Sequence, residues 1–110
     1  MQTDCLFCNI ANGRMGTEFL HESENLVVFK DIHPHAPVHL LIVPKRHIRG
    51  VNDLKTADGG ILAEMIMTAR LMAQQAQVDA SGYKLLFNVE KGGGQVIFHL
   101  HLHLIGGWKR

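Results

Sequence analysis

The sequence predicts a single α+β domain built around an antiparallel sheet. The chain has 110 residues, which is enough for one hydrophobic core but not for two. Several short apolar segments separated by turn residues are typical of strands, and one longer segment repeats its apolar residues with the helical period. These segments follow the order helix, strands, helix, strands, which favours an α+β fold with one antiparallel sheet. We therefore treat residues 1–110 as one domain.

The first half of the chain is predicted to contain a short helix and three strands. Residues 5–13 predict a helix that ends at its final glycine. Strands are predicted at 19–21 and, more clearly, at 26–30. The loop at 31–37 contains two prolines, which exclude regular structure and stiffen the backbone. The apolar segment 38–43 is interrupted by a single histidine, which is typical of a strand covered on both faces.

One long helix is predicted between the third and fourth strands. Its apolar residues recur with the helical period and form a single stripe. These residues are Leu62, Met65, Ile66, Ala69, Met72, Ala73 and Ala76. The cap at the start of the helix can be Asn52, Asp53 or Thr56, and the sequence does not distinguish between these three. The Ser-Gly pair at 81–82 ends the helical region.

The last part of the chain predicts two further strands joined by a glycine-rich loop. The fourth strand covers 83–89 and the fifth covers 96–105. Three consecutive glycines at 92–94 form the loop between them, and a second glycine pair at 106–107 ends the fifth strand.

Composition and charge exclude several classes of function. Eleven basic residues balance ten acidic residues, with no run of like charge, so charge-driven binding to nucleic acid or to a membrane surface is not expected. No apolar segment approaches the roughly 20 residues that span a bilayer. The first residues lack the pattern of a secretory signal, which predicts a cytoplasmic protein. Its two cysteines are therefore not expected to form a structural disulfide.

Three histidines alternate with leucines in the predicted last strand: His99, His101 and His103. Successive strand side chains point to opposite faces, so the three imidazoles share one face, with neighbouring rings roughly 6.6 Å apart. Four interpretations fit: a row of surface histidines, a three-histidine zinc site, a hydrogen-bonded structural network, and catalysis on an anionic substrate. The last is favoured, because neutral imidazole attacks phosphorus well and neighbouring imidazolium groups neutralise phosphate oxygens.

Two further patterns flank these histidines. The segment Gly-Gly-Gly-Gln at 92–95 offers backbone N–H groups without side-chain obstruction, and Asn88 adds another donor, so the loop suits an anion as well as it suits a plain hairpin turn. Cys5 and Cys8 form a CxxC pair, which fits a redox pair, two small buried thiols, or half of a tetrahedral zinc site that needs two more ligands.

The sequence resembles the histidine triad (HIT) superfamily, whose signature is His-φ-His-φ-His-φ-φ with φ apolar. Here the signature reads His-Leu-His-Leu-His-Leu-Ile at 99–105, and Gly106-Gly107 after it resembles the Hint branch, the histidine triad nucleotide-binding proteins. The resemblance implies a HIT fold, with a five-stranded antiparallel sheet, one long helix and a short N-terminal helix, and a homodimer that extends the sheet. The other segments that carry it are 5–8, 29–32, 36–39, 42–48, Asn88 and 93–95.

The resemblance also implies a two-step covalent mechanism. His101 would attack the α-phosphorus and form a nucleotidyl-histidine intermediate that water then releases. A backbone carbonyl that accepts from Nδ1–H of His101 would keep its Nε2 unprotonated. His103 and His39 would contact the phosphate oxygens. The phosphate cradle would consist of Asn88, Gly94, Gln95 and Val96.

The nucleoside would be held by a second set of residues that match the family. Asp31 would accept hydrogen bonds from the ribose hydroxyls. The purine pocket would be lined by Leu6, Phe7, Phe29 and Ile32. His33 and His35, in the proline-rich loop, are additional to the family pattern and are expected to face solvent.

The same resemblance implies a metal and a reaction. Some HIT proteins with CxxC hold a structural zinc ion, and the matching ligands here are Cys5, Cys8, His47 and His99; no cofactor is required for catalysis. The expected reaction is hydrolysis of purine nucleoside 5′-phosphoramidates or related nucleotidyl conjugates. The alternatives are a dinucleoside polyphosphate hydrolase, a nucleotide-binding dimer with little activity, and a metallohydrolase with zinc on the three imidazoles.

Two departures from the family bear on substrate choice. Many Hint proteins have a serine where this chain has Val96, so no hydroxyl is available there to help a leaving amine. The chain also ends three residues after Gly107, without the longer tail that shapes the partner's pocket in other Hint proteins. We expect less efficient phosphoramidate cleavage from the first departure and looser leaving-group specificity from the second.

Overall fold

A computed structural model describes residues 4–108 as an α+β domain, which confirms the predicted fold class. Its single sheet has five antiparallel strands in the order β1-β2-β3-β5-β4. The strands are β1 (His21–Glu22), β2 (Leu26–Lys30), β3 (Val38–Pro44), β4 (Tyr83–Leu86) and β5 (Leu102–Gly106). The helices are α1 (Leu6–Ala11) and α2 (Gly59–Gln75). No helix within 4–108 is long and apolar enough to cross a membrane.

The sheet is covered on both faces, which explains why β2 and β3 are largely apolar on both of their faces. Alternate side chains of these strands enter two separate clusters. Leu26, Val28, Leu40 and Ile42 belong to the larger cluster, together with Met65, Ala69, Met72 and Ala73 of α2. Val27, Phe29, Leu41 and Val43 belong to the smaller cluster, together with Phe7, Ile10 and Ala11 of α1. The strand period of two thus separates a face covered by α2 from a face covered by α1.

The pairing of β3 with β5 positions two histidines on the α1 face. Leu41 lies opposite His103, and His39 lies opposite Ile105. Side chains that lie opposite each other in an antiparallel pair share a face, and residues two apart on one strand do so too. His39 and His103 are therefore diagonal neighbours on the face that α1 covers.

The last strand is shorter than predicted, so two of the three histidines lie outside it. The predicted strand 96–105 begins only at Leu102, so His99 and His101 lie in the extended segment before it. The ladder ends there because the carbonyl of Pro44, at the end of β3, accepts a hydrogen bond from the ring of His99 (2.7 Å). Leu100 N–H instead donates to the carbonyl of Ile48 (2.6 Å).

Other boundaries also differ from the predicted ones. The first strand, predicted at 19–21, is β1, and the predicted strand 83–89 ends at Leu86. The glycine loop contains a 3₁₀ turn at Lys91–Gly93. After Leu86 the β-ladder is replaced by hydrogen bonds within the loop. There the N–H groups of Gly93 and Gln95 donate to the carbonyl of Glu90.

The start of α2 was predicted incorrectly, and one residue of its stripe is exposed. None of Asn52, Asp53 and Thr56 caps the helix, because two 3₁₀ turns, at Val51–Asp53 and Thr56–Asp58, precede it. The N-cap is Asp58, whose carboxylate accepts from Lys55 N–H (2.8 Å) and pairs with Arg46 instead of bonding to the helix. In the stripe, Met65, Ala69, Met72 and Ala73 are buried, whereas Ile66 is 43% exposed.

Two methionines of α2 provide a matched test of this packing. Met65 is fully buried in the larger cluster, whereas Met67 is 56% exposed. We expect Met65→Ala to lower the free energy of unfolding by about 2–5 kcal/mol, because it leaves a cavity. Met67→Ala is expected to lower it clearly less, because this side chain is exposed on the surface of the single chain. Urea unfolding of both variants measures the difference, and equal losses would contradict the predicted orientation of the helix.

Candidate active site

Three histidine rings form a continuous row beside α1. His103 lies on β5, His39 lies on the neighbouring β3, and His101 lies just before β5. The ring centroids of His39 and His103 are 5.2 Å apart, and those of His101 and His103 are 4.9 Å apart. Phe7 of α1 packs edge-on against His101 with a centroid distance of 5.0 Å. The sheet and α1 thus fix the positions of all three rings.

The protonation of His101 is set by a backbone carbonyl. Its Nδ1 lies 2.7 Å from the carbonyl oxygen of His99, and a carbonyl can only accept a hydrogen bond. Nδ1 therefore carries the proton, and Nε2 has a free lone pair. Burial lowers the pKa of His101, which keeps the ring neutral, and 8% of the residue is exposed. The arrangement presents a neutral imidazole nitrogen of the kind that attacks an electrophilic centre.

A second chain of hydrogen bonds sets the protonation of His39 and His103. The backbone N–H of His35 donates to Nδ1 of His39 (3.0 Å), so the proton of His39 is on Nε2. That Nε2–H donates to Nδ1 of His103 (2.9 Å), which leaves the proton of His103 on its own Nε2. His103 therefore presents an N–H donor, whereas the N–H of His39 is already used by His103.

Both of these rings are neutral at pH 7. Burial is the main cause that lowers the pKa of His103, to about 4, and the nearby His101 and His39 lower it further. Burial also lowers the pKa of His39, although Asp31 opposes this shift. The expectation of imidazolium neighbours is therefore wrong for the free protein, because desolvation disfavours their charge.

Asp31 is at the edge of the histidine row, at the end of β2. One carboxylate oxygen accepts from the backbone N–H of His33 (2.8 Å), and the other lies 3.4 Å from Nε2 of His39. The carboxylate is partly exposed. His33 and His35 are exposed, and the His35 ring lies 5.3 Å from that of His39.

The four residues predicted to line a purine pocket divide into two groups. Phe7 and Phe29 are buried and form a T-shaped pair with centroids 5.6 Å apart. Leu6 is partly exposed and Ile32 is 85% exposed. The structure therefore places the two phenylalanines in the core that supports the histidines and the two aliphatic side chains at the surface.

The glycine-rich loop satisfies most of its own backbone N–H groups. Gly93 and Gln95 donate to the carbonyl of Glu90, and Gly94 donates to that of Lys91, all at 3.0 Å. Of the two interpretations of this loop, an anion-binding loop and a plain hairpin turn, these hydrogen bonds favour the turn, because the N–H groups of Gly93, Gly94 and Gln95 are already used. The N–H of Val96, the next residue, takes part in none of these hydrogen bonds.

Gln95 and Asn88 contribute to holding this loop. Gln95 is buried; its amide oxygen accepts from Glu90 N–H (2.9 Å), and its amide nitrogen donates to the carbonyls of Arg49 (2.9 Å) and Ile97 (3.2 Å). Asn88 donates to the carbonyl of Gly93 (2.9 Å). The amide of Gln95 is thus fully used by backbone groups and is not free to bind phosphate.

Next to the row, two cysteines and two histidines converge. Their ligand atoms all lie within 4.8 Å of one another: Sγ of Cys5 and Cys8, and one nitrogen each of His47 and His99. Nδ1 of His99 is 3.4 Å from each sulfur and 3.2 Å from Nδ1 of His47. The edges of a tetrahedron around zinc, with ligand distances of about 2.0–2.3 Å, are of this length.

The tautomer of His99 agrees with such a role. Its Nε2–H donates to the carbonyl of Pro44, so Nδ1 is unprotonated and faces the two sulfurs. A second cluster, of Asp31, His39 and His103, also brings potential ligand atoms within 4.8 Å. There the proton on Nε2 of His39 excludes a metal, because its Nδ1 is already an acceptor.

The resemblance implied a backbone carbonyl at Nδ1 of His101, but the sequence did not identify the residue that supplies it, nor the backbone partners of His39 and His99. The carbonyls of Pro44 and His99 and the N–H of His35 determine where the proton of each ring lies. Every residue has a backbone carbonyl and every residue except proline has an N–H, so no residue type marks these groups in a sequence. Only the folded path of the strands and loops brings them to the rings.

Two open clefts flank the row. One, of about 490 Å³, is lined by residues that include Asp31 and His39. The other, of about 390 Å³, is lined by residues that include Cys5, His47 and Val96. His101 is buried, with 8% of the residue exposed, and lines neither of these two clefts.

Comparisons with known proteins agree with this geometry. Residues 4–108 match a family model described as scavenger mRNA decapping enzyme C-term binding. The purine nucleoside phosphoramidase of Escherichia coli K12 is 34% identical over 107 residues, which cover 97% of this chain and 90% of that protein. A HIT-like protein of Chlamydia trachomatis is 42% identical over 102 residues, covering 93% and 91% of the two chains.

Solved structures show the same similarity. A HIT family hydrolase from Legionella pneumophila has a TM-score of 0.94 and 45% identity, covering 96% of this chain and 95% of that one. A histidine triad protein from Clostridium difficile has a TM-score of 0.95 and 32% identity, covering 100% and 96%.

The low pKa of His103 predicts a pH dependence of stability. Because its folded pKa of about 4 lies below the ordinary 6.5, the unfolded chain binds a proton first as the pH falls. His103 faces Asp31, His35, His39 and His101, and its contribution is lost between about pH 6.5 and 4. We expect His103→Gln to reduce this acid-induced loss of stability by about 1–2 kcal/mol, after allowance for solvent screening.

Thermal unfolding of both proteins from pH 7 to pH 4.5 measures this effect. The cysteine–histidine cluster is present in both, so the difference between the two curves isolates His103. Parallel curves would show that burial does not disfavour the charged ring.

Proposed function

The chain belongs to the histidine triad superfamily and is a nucleotide hydrolase of that family, and we propose that its substrates are purine nucleoside 5′-phosphoramidates or related nucleotidyl conjugates, cleaved at the α-phosphorus. The observation that carries this proposal is the tautomer of His101, whose Nδ1–H is held by the carbonyl of His99 while Nε2 is free. The similarity to a purine nucleoside phosphoramidase supports the substrate class.

The first step forms a covalent intermediate. The Nε2 lone pair of His101 forms a bond to the α-phosphorus as the bond from phosphorus to the leaving nitrogen breaks. The leaving nitrogen keeps the bonding electrons and takes up a proton from solvent. His103, with its Nε2–H, donates to a non-bridging phosphate oxygen, and the N–H of Val96 is available for a second one.

The second step releases the nucleotide. Water attacks the α-phosphorus on the nucleotidyl-histidine, and the bond to Nε2 of His101 breaks. The attacking water loses one proton, which balances the proton taken up by the leaving nitrogen, and the product is the nucleoside 5′-monophosphate. His39 does not contact phosphate in this scheme, since it holds His103 in the donating tautomer. Asp31 accepts from the ribose hydroxyls.

The residue at position 96, Val96, affects how readily different leaving groups depart. Because it supplies no hydroxyl to a departing amine, cleavage of phosphoramidates is expected to be slower than with serine at this position. This observation favours a second candidate, a nucleotide-binding dimer with little activity. Rates on an adenosine phosphoramidate and on a dinucleoside polyphosphate distinguish these candidates, since the binding protein turns over neither of them.

Replacement of His101 tests the proposed reaction. We expect His101→Ala to lower kcat at least about 10³-fold, because it removes the nucleophile, while binding of the nucleoside monophosphate persists. Turnover is measured by release of the monophosphate, and binding is measured by calorimetry. His33→Ala, an exposed histidine outside the row, is the matched control and should retain activity. Equal turnover in His101→Ala and the unchanged chain would refute the assignment.

We also propose that Cys5, Cys8, His47 and His99 hold one structural zinc ion. The convergence of two thiols and two imidazole nitrogens supports this proposal. A bound zinc ion would cross-link α1 to the segments that follow β3 and precede β5, and would supply stability without contacting substrate. The two-step reaction above uses none of its chemistry.

The metal site is tested by removing both thiolates. We expect the purified protein to contain one zinc ion per chain, and Cys5→Ser with Cys8→Ser to contain none, because hydroxyls are poor zinc ligands. Elemental analysis measures the metal, and thermal unfolding measures the loss of stability. If protein that keeps both cysteines contains no zinc after expression with zinc in the medium, the proposal is contradicted.

A homodimer is the assembly that we propose. Strand β4 is an edge strand of the described sheet, and α2 exposes three large apolar side chains, Ile66, Met67 and Leu71. These features support an extension of the sheet by a second copy. Light scattering should give twice the mass of one chain.

A further inference from the structure

Glu90 has a backbone conformation that is almost confined to glycine. Its φ is 60° and its ψ is 174°, a region in which a Cβ atom collides with the backbone. Gln77, the other non-glycine residue with a positive φ among residues 4–108, has a φ of 61° and follows the end of α2. Glu90 lies at the start of the glycine-rich loop. A residue without glycine's freedom holds this conformation only if its surroundings enforce it.

A clamp of charged and aromatic groups enforces it. The carboxylate of Glu90 accepts two hydrogen bonds from the guanidinium of Arg49, at 2.6 and 3.0 Å. This guanidinium stacks over the ring of Phe98, 4.6 Å from its centroid, and lies 3.7 Å from Asp53. Because Phe98 directly precedes His99, the side chain of Glu90 is tied to the segment that carries the histidines.

The backbone of Glu90 organises the loop from the other side. Its carbonyl accepts from the N–H groups of both Gly93 and Gln95, and its own N–H donates to the amide oxygen of Gln95. Gln95 in turn donates to the carbonyl of Arg49. Glu90 and Arg49 therefore hold the loop through their side chains and through Gln95, and these bonds leave the N–H of Val96 unused.

We propose that Glu90 is a positioning residue, held in a glycine-like conformation by Arg49 so that the N–H of Val96 is directed towards the bound phosphate. This inference rests on the proposed function and adds to it a residue outside the histidine row. The hydrogen bonds described for Glu90 are made with Arg49, Gly93 and Gln95 and none of them with His101. Glu90 acts through the path of the loop, which determines where the Val96 donor lies relative to the phosphorus.

A simple surface ion pair would behave differently. Exposed ion pairs contribute little to stability. Removing such a pair has the same effect whichever small residue replaces the carboxylate. A clamp on a strained backbone distinguishes alanine from glycine at position 90. Glycine adopts a positive φ without strain, whereas alanine relaxes once the clamp is removed.

The test compares Glu90→Ala with Glu90→Gly, alone and combined with Arg49→Ala. We expect Glu90→Ala and Arg49→Ala each to lower kcat roughly tenfold, because a displaced donor weakens transition-state stabilisation. Glu90→Gly should recover most of the turnover, and adding Arg49→Ala to Glu90→Gly should cost less than about twofold. Asp53→Ala, which removes only the weaker partner of Arg49, is the control for charge.

A second measurement is independent of turnover. In ¹⁵N-labelled protein, we expect addition of adenosine 5′-monophosphate to shift the amide resonance of Val96 in the unchanged chain and in Glu90→Gly, but much less in Glu90→Ala and Arg49→Ala. If the nucleotide shifts the Val96 amide resonance but the protein shows no turnover, the proposed reaction is overturned and the role of Glu90 is not. Equal kcat values, or equal Val96 shifts, in Glu90→Ala and Glu90→Gly would overturn the role of Glu90.

Discussion

The hydrogen bond from Nδ1–H of His101 to the carbonyl of His99 is the interaction on which the chemistry depends. A ring nitrogen can attack phosphorus only if its lone pair is free, and imidazole has two nitrogens that exchange this role. The backbone carbonyl of His99 selects one tautomer, because it accepts from Nδ1–H of His101 at 2.7 Å and leaves Nε2 unprotonated. Burial reinforces the arrangement by lowering the pKa of the ring.

His99 connects this nucleophile to the rest of the fold through three separate groups. Its carbonyl holds His101, its Nε2–H holds the end of β3 at Pro44, and its Nδ1 faces the two cysteines. The end of the β-ladder, the metal-competent cluster and the nucleophile are thus joined at one buried residue. The alternating pattern of the sequence predicts only that the three rings share a face, whereas the structure gives each ring a different set of partners.

The fold was predictable because its signals are local. Residues 26–30 and 38–43 form largely apolar segments, and the strands there match the prediction within one residue. The start of α2 was not predictable, since the carboxylate of Asp58 is taken by Lys55 and Arg46. The site residues were recognisable by type, but the occupied amide of Gln95 and the strained backbone of Glu90 depend on contacts between distant segments, which no local pattern encodes.

Trapping the covalent intermediate tests the central claim most directly. A rapid acid-free quench during turnover of an adenosine phosphoramidate, followed by mass spectrometry of the peptides, locates the attached nucleotide. We predict an adenylyl group on Nε2 of His101, formed and lost at rates that match turnover. An adduct on His99 or His103, or turnover that passes through no adduct at all, would contradict the assignment of the nucleophile.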